Sequence, residues 1–318
     1  MSAIEALNIS KSFGSVKAVD EVTFSVEYGE VFGLLGPNGA GKTTTIRMVL
    51  DIFKPDTGRV AILDGPMNEA KKDRIGYMPE ERGLYQDIPL ERVLVYMASL
   101  KGTPAQEARR RVRDYLERFE LSDYRRKKVK DLSKGMQQKA QIIATLVHQP
   151  ELVIIDEPFS GLDPINTQMV KDLLLDLNRQ GATIIMSTHQ MHQMEEMCSR
   201  ILLFNRGRNV LYGELESLRR QFSGNAVLVR AQGELPDLPG VLACTAHNNA
   251  LRLALSPEID PQQILQQLVS RGVVLEKFEI ALPTLEEIFV RVVQTGQGGF
   301  HPGRTSSGQI SSAADFIR

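Results

Sequence analysis

Gly36-Pro37-Asn38-Gly39-Ala40-Gly41-Lys42-Thr43-Thr44 constrains this chain more than any other stretch. It fits the phosphate-binding pattern G-x-x-x-x-G-K-[ST], and its flanks supply the context that the pattern needs. The apolar run Val31-Phe32-Gly33-Leu34-Leu35 precedes it and reads as a buried strand. After it, Ile46, Val49 and Leu50 can share one face of a helix. In a strand–loop–helix, Gly36, Gly39 and Gly41 let the backbone turn tightly enough to aim N–H groups at phosphate. The helix adds its positive N-terminal end. Lys42 is placed for the β- and γ-phosphates and the Thr43 hydroxyl for Mg²⁺. The whole loop, residues 36–44, is therefore read as a nucleoside triphosphate site.

At 318 residues the chain has room for two domains or one large one, and 42% apolar residues suffice for a real core. Lys and Arg (38) nearly cancel Asp and Glu (39), so no global field points to nucleic acid. Cys198 and Cys244 lack CxxC spacing and read as plain buried thiols in a reducing compartment. His189 and His192 have no partners at zinc spacing, so no structural metal is expected. The N-terminus lacks a signal pattern, and no apolar run approaches the roughly 18–20 residues that span a bilayer. A soluble chain is expected, with any membrane role exercised through a partner.

Along the chain, Ile4–Asn8 and Val22–Val26 read as strands, with Phe13 as a turn aromatic between them. Gly58–Leu63 and Arg74–Met78 read as two more strands, joined by a polar turn. From about residue 88 to 150 the spacing is helical. The stretch carries the basic cluster Arg125-Arg126-Lys127-Lys128, which reads as a solvated helical face because acidic residues bracket it and aromatics are missing. Ser133 suits the N-cap of a further helix. Leu152-Val153-Ile154-Ile155 then forms a buried strand that delivers Asp156-Glu157, and Thr183–Ser187 a strand that ends at Thr188-His189. Alternating strands and helices predict an α/β fold with a mainly parallel sheet and its chemistry at the strand C-termini. Beyond residue 213 a separate α+β module is expected, with strands at Ala226–Ala231, Val241–Ala246, Leu251–Leu255 and Val273–Ile280. Its helices are expected at Leu215–Phe222, at Pro261–Ser270 and from Pro283 to Val292. Residues 295–318 are Gly/Ser-rich and read as a disordered tail.

Two adjacent acids at a strand end could simply cap a helix. With the glycine loop upstream, Asp156 instead reads as a holder of Mg²⁺ through water, and Glu157 as the group that orients or deprotonates an attacking water. The ordered set of motifs then resembles the nucleotide-binding subunit of ATP-binding-cassette (ABC) transporters over roughly Ile4 to Gly213. Gly36–Thr44 resembles Walker A, Leu152–Glu157 Walker B, Leu132–Gln137 the signature, Gly161-Leu162-Asp163 the D-loop and His189 the switch histidine. The resemblance implies a P-loop NTPase cassette, residues 1–213, with an antiparallel β subdomain and a helical insertion. It also implies ATP and Mg²⁺ as ligands and a head-to-tail dimer that sandwiches the nucleotide. In that arrangement Ser133 and the Gly135 N–H of one subunit would serve the γ-phosphate bound by the other. Phe13 would stack on adenine, and His189 would contact the γ-phosphate.

Two departures stand out. The usual LSGGQ is Leu132-Ser133-Lys134-Gly135-Met136, which keeps Ser133 and Gly135 but loses an amide at Met136. The usual Q-loop glutamine is Glu80, which can still ligand Mg²⁺ but cannot donate a hydrogen bond. Residues 214–294, with Pro283-Thr284-Leu285-Glu286-Glu287-Ile288-Phe289, are similar to the module behind the cassettes of ABC-2-type exporters such as drug-resistance and sodium-efflux ATPases. The expectation is an ATPase at the cytoplasmic face of the plasma membrane, paired with an identical or related ATPase subunit and an integral membrane permease, and with no nucleic-acid partner. The alternative is a soluble ABC ATPase not tied to a transporter.

Overall fold

The computed structural model describes residues 1–81, 83–247 and 249–295. Two compact units emerge, one built on Met1–Gly213 and the other on Glu214–Gln294. The first begins with β1 (Ser2–Phe13), β2 (Val16–Glu27), β3 (Val31–Leu35), α1 (Lys42–Val49), β4 (Thr57–Ile62), α2 (Glu69–Lys72) and β5 (Ile75–Met78). The helices α3 (Leu90–Leu100), α4 (Ala105–Arg118) and α5 (Lys134–Leu146) follow. It closes with β6 (Leu152–Asp156), α6 (Pro164–Arg179), β7 (Thr183–Thr188), α7 (Met191–Met197), β8 (Arg200–Asn205) and β9 (Arg208–Glu214).

The larger sheet has the order β5-β6-β7-β3-β8-β9, and its neighbours from β5 through β8 run parallel. Every residue of β3, β6 and β7 is buried, as expected of strands covered on both faces. Strand register decides where the chemistry lands. Met78 lies opposite Ile155, Asp156 opposite Ser187, and Leu35 opposite Thr188. The ends of β5, β6, β7 and β3 therefore reach one level, where ligands bind in open parallel sheets. A smaller antiparallel sheet, β2-β1-β4, shares a core with it. Ile4, Ile9 and Phe24 pack there with Phe32, Leu34, Leu152 and Phe204, and with Ile46 and Met48 of α1. The Phe24 and Phe32 rings stack with centroids 5.9 Å apart.

β1 and β2 are longer than the strands expected at Ile4–Asn8 and Val22–Val26, and Phe13 is the last residue of β1 rather than part of a long turn. The reason is bulging. Asn8 and Glu21 take left-handed backbone (φ +48° and +52°), and the pairing register shifts between Ala6 and Ile9. Each shift resets the in–out alternation, so continuous strands read as fragments. Between β5 and β6 the chain is helical. Val93 and Leu94 of α3, Val112 and Leu116 of α4, and Ile142 and Ile143 of α5 are buried.

The second unit contains α8 (Leu215–Phe222), β10 (Ala226–Ala231), β11 (Val241–His247), β12 (Ala250–Leu255), α9 (Pro261–Ser270), β13 (Leu275–Ile280) and α10 (Leu285–Thr295). Its antiparallel sheet has the order β11-β12-β10-β13 over a core of Val227, Val229, Leu253, Ile264 and Leu268. α9 starts with a capping box between Asp260 and Gln263. Cys244 is exposed, contrary to expectation, because β11 is an edge strand; Cys198 is buried. The expected tail beyond Thr295 lies outside the described residues. Among the described residues, no helix is long and apolar enough to cross a membrane.

His148, just past α5, links packing to pH. Its Nε2 lies 3.2 Å from the Ile75 carbonyl at the start of β5, and Nδ1 is buried without a partner. Burial pushes the imidazole down to about 4, against the Ile75 hydrogen bond, with Lys101 and Arg111 lowering it further. As pH falls below about 6.5, the unfolded chain takes up this proton and the folded chain does not, so stability drops until the folded imidazole titrates near pH 4. Between pH 7 and 5 the loss is about 2 kcal/mol. A His148→Phe variant should lose that much less over the same interval in urea unfolding; parallel losses in the two proteins would refute the assignment.

Candidate active site

The glycine loop leaves β3 at Gly36 and enters α1 at Lys42. Three glycines take positive φ here: Gly36 at +142°, Gly39 at +75° and Gly41 at +112°. Two of them also lack room. A Cβ on Gly36 would lie 2.5 Å from the Phe204 carbonyl oxygen, and one on Gly41 would lie 2.6 Å from that of Ala18. A second turn holds the loop from outside. Arg206-Gly207, joining β8 to β9, has φ of +49° and +80°, and Gly207 N–H donates to the Ala40 carbonyl at 2.9 Å. Lys42 is buried and its Nζ donates to the carbonyls of Gly36 (2.7 Å) and Pro37 (3.1 Å). Burial pushes its ammonium below the ordinary lysine range, while Glu157, Asp156 and Glu80 pull it back up.

The strand ends bring the acids to the same place. Thr43 Oγ1 donates to Asp156 Oδ2 at 2.7 Å, and Ser187 Oγ donates to Asp156 Oδ1. Glu157 turns sharply off β6 with φ +53°, a conformation that costs a non-glycine residue roughly 1–3 kcal/mol. Its own N–H donates to the Ser187 carbonyl at 2.8 Å, and its carboxylate is held from three sides. Thr188 Oγ1 donates to Oε2 at 2.8 Å, while His189 N–H (3.0 Å) and Nδ1 (2.7 Å) meet Oε1. An ionised carboxylate only accepts, so Nδ1 carries the proton and Nε2 is left for another partner. The His189 side chain is half-exposed.

A cavity of about 350 Å³ is lined by Ala18, Asn38 through Thr44, Glu80, Asp156 and Glu157. Three carboxylates against one buried ammonium would repel a bare triphosphate, so the site suits a nucleotide that comes with a divalent cation. The donor set fits Mg²⁺: Thr43 and Asp156 present hard oxygens side by side, and Glu80 adds a third. Thus the cavity gathers most of the loop with Glu80, Asp156 and Glu157. Phe13 lies outside this lining, 45% exposed, with its ring edge-on to Phe53 at 5.4 Å. Ser133 and Gly135 also lie outside it. Ser133 caps α5, its exposed hydroxyl accepting from Met136 N–H at 3.3 Å. Sequence reasoning passed over Ala18, Ser187, Thr188 and Gly207. Only Thr188, next to His189 at a strand end, carried a local signal.

Residues 19–160 match the family model described as ABC transporter, and residues 213–293 match the one described as ATP-binding protein DrrA1-3-like, C-terminal domain. The ABC transporter ATP-binding protein YhaQ of Bacillus subtilis is 39% identical over 289 residues, 90% of this chain and 97% of its own. Nod factor export ATP-binding protein I of Sinorhizobium fredii is 32% identical over 299 residues, 91% of this chain and 85% of its own. Among solved structures, an ATP binding subunit of an ABC transporter superposes with a TM-score of 0.65 at 32% identity, covering 70% of this chain and 93% of that one.

The glycine geometry separates two substitutions. Gly39 has open space beyond its α-carbon, so Gly39→Ala carries only the left-handed backbone cost, about 1 kcal/mol. Gly41→Ala adds a collision with the Ala18 carbonyl and should destabilise more, as well as abolish binding of a fluorescent ATP analogue. Equal thermal shifts for the two variants would contradict this account.

Proposed function

The chain belongs to the ABC transporter ATP-binding family and is an ATPase subunit of that kind, and on this premise we propose how its residues divide the work. Backbone N–H groups of the 36–44 loop, Pro37 excepted because it has none, and the Lys42 ammonium hold the triphosphate, and Phe13 stacks on the adenine. Thr43, Asp156 and Glu80 hold Mg²⁺, which when bound neutralises phosphate charge and polarises the γ-phosphoryl group. Glu157 is the general base. A water oxygen bonds to the γ-phosphorus, the bond to the β–γ bridging oxygen breaks, and the water proton passes to the Glu157 carboxylate. Thr188 and His189 keep that carboxylate aimed, and Nε2 of His189 is available to the γ-phosphate.

One observation carries the next step: Ser133 and Gly135 do not line the cavity that holds Walker A and Walker B. The hydroxyl and N–H groups at the start of α5 form an anion site whose phosphate must come from elsewhere. A second ATPase subunit, identical or related, supplies it head to tail, so ATP closes the dimer and hydrolysis opens it. The export named for the Sinorhizobium relative and the DrrA-like second unit support an ABC-2-type exporter working with a separate membrane permease from the cytoplasmic face. The loop after Glu80 and α3 offer an exposed aromatic pair to such a partner. Tyr85 and Tyr96 are 51% and 46% exposed, with ring centroids 5.9 Å apart.

Glu157→Gln keeps the shape of the side chain and removes the base. Steady-state ATP hydrolysis should fall at least about 100-fold, ATP affinity should persist, and ATP-bound dimer should accumulate in size-exclusion chromatography. Equal turnover in wild type and variant would remove Glu157 from the mechanism.

A further inference from the structure

Two glutamines on one face of α5 make the same unusual contact with two different loops. Gln138 and Gln141 stand one turn apart, and each is only 5% exposed. Gln138 Nε2 donates to the carbonyls of Glu157 (3.3 Å) and Pro158 (3.2 Å). Gln141 Nε2 donates to the carbonyls of Pro79 (3.0 Å) and Glu81 (3.1 Å), the residues on either side of Glu80. Both loops deliver a carboxylate to the cavity, and both acids lie just beyond the end of a strand, Glu80 after β5 and Glu157 after β6.

We infer that Gln141 is a positioning residue for Glu80, as Gln138 is for Glu157, so that α5 sets the two carboxylates relative to each other. The inference rests on the roles proposed above for those acids. A side-chain amide has two N–H groups, and engaging two carbonyls of one loop fixes its orientation as well as its place. Gln141 is a poor choice for stability alone. With its –NH₂ committed to Pro79 and Glu81, its Oε1 is buried without a partner, a desolvation cost that offsets the bonds it makes. The contact instead restricts the loop that carries Glu80. That carboxylate is exposed and would swing freely if its backbone were loose.

Gln141→Met keeps the length of the side chain, removes both donors and removes the orphan acceptor, so its thermal midpoint should stay within a few degrees of wild type. Hydrogen–deuterium exchange on nucleotide-free protein reads the clamp directly. Gln141→Met should speed exchange at Glu80 and Glu81 and leave 157–159 unchanged, and Gln138→Met should do the reverse. Kinetically, Gln141→Met should lower kcat about tenfold with KM for ATP within about twofold, and in a Glu80→Ala background it should cause no further fall. Unchanged exchange around Glu80 would overturn the inference, as would an undiminished effect of Gln141→Met in the Glu80→Ala background. If Glu80→Ala and Glu157→Gln both kept full turnover, the assigned roles of the acids would fail instead, and the exchange data would still judge the clamp.

Discussion

Parallel hydrogen bonding among β5, β6, β7 and β3 is the constraint from which the site follows. The ladder ends these strands at one level, and the residues at or just past each end are the ones with chemistry: Pro79-Glu80, Asp156-Glu157, Thr188-His189 and Gly36. None of them needs a long loop to reach the others. A slip of one residue in β6 would turn Asp156 away from Ser187 and Thr43, because alternate side chains face opposite sides of a sheet. The buried apolar faces of β3, β6 and β7 oppose such a slip, so packing energy in the core is what holds the oxygens of the site in line.

Electrostatics then gives that scaffold a direction. Lys42 is buried beside loop carbonyls, which are dipoles and not charges, and its ammonium is correspondingly disfavoured. The nearby carboxylates offset part of that penalty but leave the cavity negative. A triphosphate with its cation satisfies both excesses at once, matching Lys42 with phosphate and the acids with metal. The folded chain thus carries unfavourable terms that a nucleotide with its cation would relieve, and in the proposed dimer that relief would be the energy available to move subunits.

Much of this was legible because it is local. The glycine loop, the acids after Leu152–Ile155 and the Ser133 cap are each contained within a few residues, and the structure forms each where the pattern places it. What escaped depends on distant chain. Gly207 and Ala18 bear on the loop only because strands far apart in sequence meet there. The full lengths of β1 and β2 were hidden by bulges at Asn8 and Glu21, which no composition signal marks. The one-turn α2 and the seven-residue α7 are too short for a helical period to show. Cys244 was misjudged because burial at an edge strand depends on what covers it, not on residue type.

α5 connects Ser133 to the loops that carry Glu80 and Glu157. Its N-cap is Ser133, whose proposed phosphate belongs to a partner, and its buried face holds Gln138 and Gln141 against the loops of its own site. A helix of 13 residues is stiff over that length, so a displacement imposed at its N-terminus is carried whole to both amides. Each amide grips its loop at two carbonyls, so the loop must follow in orientation as well as position. A partner's nucleotide arriving at Ser133 would therefore move Glu80 and Glu157 together. In the proposed dimer the readiness of one site would then depend on occupancy at the other, without any contact between the two nucleotides.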